Sequence, residues 1–488
     1  MTKRPFNILW LTMDHVTFHH YRHTAGARPV LNTYEALCRE GISFSSCKSV
    51  HPLCMPARAT MLTGVYPHRH GGINNDTHAR PDAPLVCERL RDAGFDVGYF
   101  GKNHSGIESE QFCFEGYYPS GYGNPYLTPE YRAYLDRQGL EHPLFEQEWS
   151  QQTADTSAFP NGTYDLTRED NFNRYCSGYL STPGPVHEVD FLADAALRWL
   201  DGRQDKTRPF VLRVDTWGPH HAYQVPLAYK DLIPPEEICE YPSYSHPYGK
   251  DKPAFAGEFL RDFHARSRSL RSWADWQPVM ARAYEQYSYI DAAFGRLIDA
   301  VRKAGYGEDT CILFTADHGD AIASHGGMFD KCGDMQEELM DIPMAIYVPG
   351  MTGGQRVDSL TSNLDVVPTI LDMAGLPVPE GMDGQSLLAL ARQQVPAREQ
   401  LMCEHYGHFR VHLQQRTLYW KHYKYTATEN APHELYDLEA DPFEMHNLIH
   451  SPEAGELLKE MQRRLLAEME LHQDDSPLME VLRTRCGA

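Results

Sequence analysis

The chain alternates compact apolar runs with segments of helical periodicity. "NILWLTMD", from Asn7, is a short apolar run that ends in an acid. "TCILFTADHGD", from Thr310, repeats that form, and "FVLRVDTWGPHH" and "DIPMAIYVPG" are two more such runs. Continuous apolar runs of this length suit parallel strands covered on both faces. Helical patterns lie between them: "VLNTYEALCREG", "LVCERLRDAG" and "YSYIDAAFGRLIDAVRKAG", each closing at a glycine. Strands alternating with helices predict an α/β fold, a large mixed, mostly parallel sheet flanked by helices.

Two stretches break the alternation. About residues 105–180 and 235–280 are rich in Tyr, Gly and Pro, as in "YYPSGYGNPYLTPEYRAYL" and "YPSYSHPYGKDKP". Their aromatic content predicts packed loops. After about residue 390 the texture changes. "HFRVHLQQRTLYWKHYKYT" alternates like antiparallel strands, and "ELLKEMQRRLLAEMELH" is an amphipathic helix. This predicts a catalytic domain over residues 1–390 and a smaller C-terminal α+β subdomain, with an antiparallel sheet, over 391–488.

Composition narrows the function. At 488 residues the chain can bury a large core. A formal net charge of -22 argues against nucleic acid or an anionic membrane surface as partner. An anionic substrate would need a locally basic pocket. The 11 cysteines are odd in number and form no C-x-x-C pair, which points to free thiols in a reducing compartment. The apolar run after Lys3 and Arg4 is interrupted by Asn7 and meets Asp14 without a small-residue cleavage site. It reads as a first strand rather than a signal peptide, and the expected location is the cytoplasm. No stretch is apolar and long enough to span a membrane.

One segment carries unusual local chemistry, "HPLCMPARATMLTG". Pro56 suits a first helical turn and Gly64 a helix stop. Cys54 then lies at a helix N-terminus, where free N–H groups and the dipole favour negative charge. Arg58, four residues on, shares that face. A thiol there gains thiolate character. A buried, inert thiol is the commoner fate of a free cysteine, and this stretch alone supports both readings equally. A cysteine-phosphatase loop needs a longer backbone cradle, without a proline in its middle.

Other polar groups converge on the same crevice, because ligands of open α/β sheets sit beyond the carboxyl ends of the strands. Asp14 closes the first apolar run, and Asp317 and His318 close the run from Thr310. Two acids and a histidine there make a divalent-metal site. "GYFGKNHSG" offers Lys102 and His104, "WGPHHAY" offers His220 and His221, and "MFDKCG" offers Lys331. Each alone is more often a solvated or core residue. Together they form the basic pocket an oxyanion requires.

These motifs resemble the type I, formylglycine-dependent sulfatase family of the alkaline phosphatase superfamily. "CMPAR" leading into "ATMLTG" resembles the family's Cys-x-Pro-x-Arg signature and Leu-Thr-Gly helix end. "NILWLTMD", "GYFGKNH", "GPHHAY" and "FTADHGD…HGGMFDK" resemble its first metal strand, Gly-Lys-x-His loop, Pro-His stretch and second metal segment. "LDVVPTILDMAGL" and "ELYDLEADPFEMHNL" resemble its C-terminal landmarks. The motifs occur in family order over most of the chain.

The resemblance implies an alkaline-phosphatase-like fold and hydrolysis of a small-molecule sulfate ester. It implies that a formylglycine-generating maturation enzyme reads Cys-x-Pro-x-Arg in the unfolded chain and oxidises Cys54 to formylglycine. The hydrated aldehyde then attacks sulfur. Asp14, His15, Cys54, Asp317 and His318 are the implied metal set, and Arg58 holds the anionic diol. Lys102 and Lys331 clamp the sulfate, His220 protonates the leaving alcohol, and His104 takes the second diol proton. One departure stands out. The family usually has two adjacent acids after the first strand, whereas here the pair is Asp14-His15. The family metal is calcium, but imidazole suits manganese, zinc or iron better, which leaves the metal open, and His15 is either a ligand or a hydrogen-bond partner of the nucleophile. Phosphonate monoester hydrolases of the same superfamily also lack the second acid and are the alternative reading. Intact motifs argue against a non-catalytic binding relative.

Overall fold

The computed structural model describes residues 5–108, 112–151, 162–168, 175–246, 252–267, 269–331, 334–408 and 411–487. Its centre is an eight-stranded sheet. Across the sheet the strands run Gln355–Ser362, Ile42–Lys48, Met344–Tyr347, Thr310–Ala316, Asn7–Asp14, Phe210–Pro219, Asp96–Gly101 and Glu115–Tyr117. All neighbours are parallel except Met344–Tyr347, which is antiparallel to both strands beside it. An apolar run predicts a buried strand but not its direction, so "DIPMAIYVPG" gave the element without the polarity.

Every residue of Asn7–Asp14, Phe210–Pro219 and Thr310–Ala316 is buried. Strands covered on both faces read as unbroken apolar runs. The register aligns Met13 with Ala316 and Asp14 with Pro219. The carboxyl ends of four adjacent parallel strands therefore come level. They deliver Asp317, Asp14, His220 and Lys102 to one edge of the sheet. The turn into Lys102 requires a glycine. Gly101 has φ +125°, and a Cβ there would stand 1.7 Å from the Asp215 carbonyl oxygen.

The helix Cys54–Thr63 is buried along all its residues. It ends as the sequence predicts, at Gly64 in the left-handed region (φ 73°), whose N–H donates to the Thr60 carbonyl at 2.8 Å. Of the helices expected from periodicity, "YSYIDAAFGRLIDAVRKAG" is the second half of a long helix, Trp273–Val301.

The aromatic stretch before residue 180 is not only loop. Gly162–Asp165, Leu144–Ser150, Cys176–Leu180 and Tyr223–Pro226 form a second, four-stranded sheet. Strands of four to seven residues among glycines and prolines leave too little alternation to detect. Parts of this stretch and of the second one (152–161, 169–174 and 247–251) lie outside the described residues.

Towards the C-terminus, Gln400–His405, Gln415–Trp420, Tyr423–Thr428 and Glu434–Asp437 make an antiparallel sheet, covered by the helix Gly455–Leu471. Leu418, Tyr425, Met461 and Leu465 share one core with Val50, Tyr66 and Met340 of the larger part. Among the described residues no helix is long and apolar enough to cross a membrane, and no two of the ten described cysteines are joined by a disulfide.

His472 fastens this helix end. Its Nδ1 lies 3.0 Å from Asp383 Oδ1 and its Nε2 3.5 Å from Glu468 Oε2, while its carbonyl bonds the His68 ring at 3.0 Å. Burial opposes the His472 charge, but Asp383 and Glu468 outweigh it and raise the pKa to about 9. The folded state therefore binds this proton more tightly than the unfolded chain, at about 6.5. The stabilisation, on the order of 1–3 kcal/mol, is complete below about pH 6.5 and lost as pH rises through 9. Melting curves of the wild type and His472→Gln should differ most at pH 6 and converge above about pH 9. A difference independent of pH would contradict this.

Candidate active site

Cys54 is the first residue of its helix, with Leu53 in extended conformation as the N-cap. No side chain caps this end, so the dipole acts on residue 54. Cys54 Sγ lies 3.0 Å from His318 Nε2 and 3.7 Å from Asp14 Oδ1. Burial and Asp14 push the thiol up, but Lys102, Lys331 and His318 together prevail and bring it down to about 7.

Arg58, one turn further along, is fully buried. Its Nε donates to Asp317 Oδ2 and its Nη1 to Asp215 Oδ2, both at 2.9 Å, and Nη2 lies 3.6 Å from Asp14 Oδ2. Nη1 also donates to the Lys102 carbonyl at 2.8 Å. One guanidinium thus ties the Cys54 helix to the ends of four strands. Asp215 is held in turn by Arg213, whose guanidinium lies between the rings of Trp10 and Tyr99 at 3.9 and 4.7 Å.

Asp14, Cys54, Asp317 and His318 form one group whose ligand atoms lie within 4.8 Å of one another. His318 Nδ1 donates to the Gly319 carbonyl oxygen at 2.8 Å, and against burial Asp317 and Cys54 raise the pKa of the ring, so Nε2, facing Cys54 Sγ, is the atom that would ligate a metal on giving up its proton. Two carboxylates, an imidazole nitrogen and residue 54 fit a divalent ion. Lys102 Nζ pairs with the same Asp14 and sits 4.1 Å from the Tyr122 ring centroid.

His15 stands in a neighbouring group, with His220, His221 and Asp330. Lys331 Nζ is at its centre, 2.8 Å from His15 Nδ1, 2.9 Å from His220 Nε2 and 2.8 Å from Asp330 Oδ1. The other His15 nitrogen is 3.0 Å from Asp320 Oδ1. Both ring nitrogens of His15 therefore face partners other than Asp14, Cys54, Asp317 and His318. Burial works against the Lys331 ammonium, but Asp330, Cys54 and Asp14 hold it charged. Burial, then Lys331, lower the pKa values of His15 and His220 well below the ordinary imidazole range. His220 Nδ1 lies 2.6 Å from the His221 carbonyl oxygen, so its proton is on Nδ1 and Nε2 accepts from Lys331. His104 is neutral, lowered to about 3 by burial, Lys102 and Arg58, and its buried Nδ1 has no partner.

All the residues singled out from the sequence converge on one crevice. Asp215, Asp320 and Asp330 were missed. The signal for Asp215 was an Arg-x-Asp pair inside an otherwise apolar strand, since charges buried there must pair. Asp320 and Asp330 lie within the "DHGD…FDK" segment but carry no spacing that separates them from turn residues.

Comparisons with known proteins identify the family. The sulfatase family model matches residues 6–376, and a model of the N-sulphoglucosamine sulphohydrolase C-terminal region matches 324–471. A choline-sulfatase of Rhizobium meliloti is 28% identical over 440 residues, covering 86% of this chain and 77% of its own. An ulvan-active sulfatase of Formosa agariphila is 25% identical over 447 residues, covering 89% and 76%. Among solved structures, a phosphonate monoester hydrolase from Silicibacter pomeroyi superposes with a TM-score of 0.77 at 20% identity, over 96% of both chains. Matched over most of its length and sharing this fold, the chain belongs to the sulfatase family and is a sulfuric ester hydrolase with an alkaline-phosphatase-like fold.

Proposed function

We propose that this enzyme cleaves a small-molecule sulfate ester with a formylglycine made from Cys54, on one divalent ion held by Asp14, residue 54, Asp317 and His318. The observation that carries the reading is Cys54 Sγ at a helix N-terminus, 3.0 Å from His318 Nε2 and 3.7 Å from Asp14 Oδ1, inside Cys-x-Pro-x-Arg. The modified residue would supply a hydrated aldehyde as nucleophile, and a divalent ion held by Asp14, Asp317 and His318 would supply Lewis acidity to it and to the sulfate oxygens. The carboxylate–imidazole set suits manganese better than the family's calcium. Cys54 and Arg58 are 1% and 0% exposed in the fold. A maturation enzyme must therefore read the motif before folding, which in this account happens in the cytoplasm.

The remaining work falls to the chain's own side chains. Lys102 and Lys331 flank Cys54 and bind the anionic sulfate. All three Lys331 protons are committed to His15, His220 and Asp330, so an arriving sulfate exchanges for one of them. His220 protonates the leaving alcohol from Nε2, which the arriving sulfate frees from Lys331 and which takes its proton from solvent. His104 Nδ1, neutral and unpartnered, takes the proton that re-forms the aldehyde. His220→Ala should then slow esters of poor leaving groups by about 100-fold or more, and activated aryl esters far less. Equal losses across leaving groups would contradict the proton-donor role.

The lone acid at Asp14-His15 favours a second reading, phosphonate monoester or phosphodiester hydrolysis by the same machinery. The ratio of kcat/KM on matched aryl sulfate and aryl phosphonate monoesters decides between them. The Lys102/His104 loop predicts that sulfate is preferred, and a preference for the phosphonate would establish the second reading.

A further inference from the structure

A cavity opens beside His220. It is lined by Tyr122, Trp217, Gly218, Glu188 and Gln286, among others. Because His220 also contacts Lys331 at 2.9 Å, this cavity adjoins the sulfate cluster where the alcohol departs. Its aromatic walls are fixed, with Trp217 Nε1 donating to the Tyr122 carbonyl at 2.7 Å.

One buried acceptor in its lining has no donor. Glu188 opens the helix Glu188–Gly202 and is 2% exposed. Its Oε1 accepts the N–H groups of Trp217 and Gly218, each at 3.1 Å, whereas Oε2 has no partner. Gln286, on the helix Trp273–Val301, is also 2% exposed. His187 Nδ1 accepts the Val189 N–H, so His187 Nε2 donates to the Gln286 amide oxygen at 3.4 Å, and the amide NH2 is the end that faces the cavity. Gly218 admits this side chain, since a Cβ there would meet the Gln286 amide at 2.9 Å. Buried acceptors are nearly always satisfied in a folded protein. Glu188 Oε2, left over next to the reacting group, matches a donor that arrives with a ligand. None of the residues lining the cavity is Lys or Arg, so a second anionic group would face Glu188 without a counter-ion.

On the sulfate-ester reading above, we infer that the released alcohol bears an O–H or N–H donor near the ester oxygen, bound by Glu188, and no second anionic group on that side. Burial raises the Glu188 carboxyl to about 8, so an ammonium ligand gives it a counter-charge and ionises it, whereas a hydroxyl meets the neutral acid and both donates to it and accepts from it. The donor comes from an amino alcohol or from a polyol.

The test compares kcat/KM for ethyl sulfate, 2-hydroxyethyl sulfate, 2-aminoethyl sulfate and carboxymethyl sulfate on the mature wild-type enzyme. At least one donor-bearing ester should exceed ethyl sulfate by about 100-fold or more, because sites built for a donor reject the analogue lacking it. Whichever of the two leads identifies the source. Carboxymethyl sulfate should be the poorest substrate. In Glu188→Gln and in Glu188→Leu the donor-to-ethyl ratio should collapse, whatever the absolute rate. The wild-type series needs no variant to fold. Ethyl sulfate matching both donor esters, or carboxymethyl sulfate exceeding it, would overturn the inference while leaving the sulfatase reading intact. Failure to turn over any alkyl or aryl sulfate would instead overturn that reading and this one with it.

Discussion

Cys54→Ala is expected to lower kcat/KM on any sulfate ester by at least about 10⁴-fold, with the fold retained. The change removes one sulfur from a helix first turn and leaves the carboxylates, lysines and His318 in place. The structural cost is on the order of 1 kcal/mol. The catalytic cost is far larger, because the atom that bonds to sulfur comes from this side chain alone. Cys54→Ser should be equally inactive in a host whose maturation enzyme requires a thiol, although its oxygen could approach the same neighbours. Circular dichroism and a melting curve would verify the fold. Turnover within tenfold of wild type in either variant would mean that residue 54 is not the nucleophile.

Arg58→Met is expected to be the most damaging single substitution for stability. It would leave Asp317 and Asp215 without the donors they hold at 2.9 Å, and Asp14 without its neighbour at 3.6 Å, in a fully buried setting. Breaking a buried ion pair by removing one partner costs about 3–5 kcal/mol, since the remaining charge keeps its desolvation penalty. Asp215 retains Arg213, which limits the loss on that side. Arg58→Lys should fall between, because an ammonium restores charge but cannot reach the carboxylates as a planar fork. Urea midpoints of the three proteins would order as wild type, Lys variant, Met variant. A Met variant within about 1 kcal/mol of wild type would mean that the cluster tolerates unpaired carboxylates, contrary to this account.

Much of the fold and the site was legible because the catalytic groups sit at the ends of the most regular elements. Strands buried on both faces have no polar positions to spare, so the acid closing "NILWLTMD" and the pair closing "CILFTA" stand out. Proline and glycine bracketed the Cys54 helix by local backbone rules alone. What the sequence withheld follows from physics as well. Strand polarity is set by connections rather than composition, which hid the antiparallel Met344–Tyr347. The short strands of the second sheet are held by packing and leave no period to detect. His15 could be named but not aimed. Its φ of 63° and the lysine contributed from 316 residues away turn its ring toward Asp320 and Lys331, and no local signal encodes that choice. Glu188 gave no hint at all, because a glutamate opening a helix is ordinary and only its unpartnered oxygen is not.

The central claim, that Cys54 is converted to the working nucleophile, is tested most directly by mass spectrometry of the tryptic peptide Ser49–Arg58. The sample is enzyme purified from a host that co-expresses a formylglycine-generating enzyme. The account predicts that the peptide carries an aldehyde at residue 54, sulfur replaced by oxygen, in proportion to the sulfatase activity of each preparation. A preparation that turns over sulfate esters while its peptide contains only the thiol would contradict it.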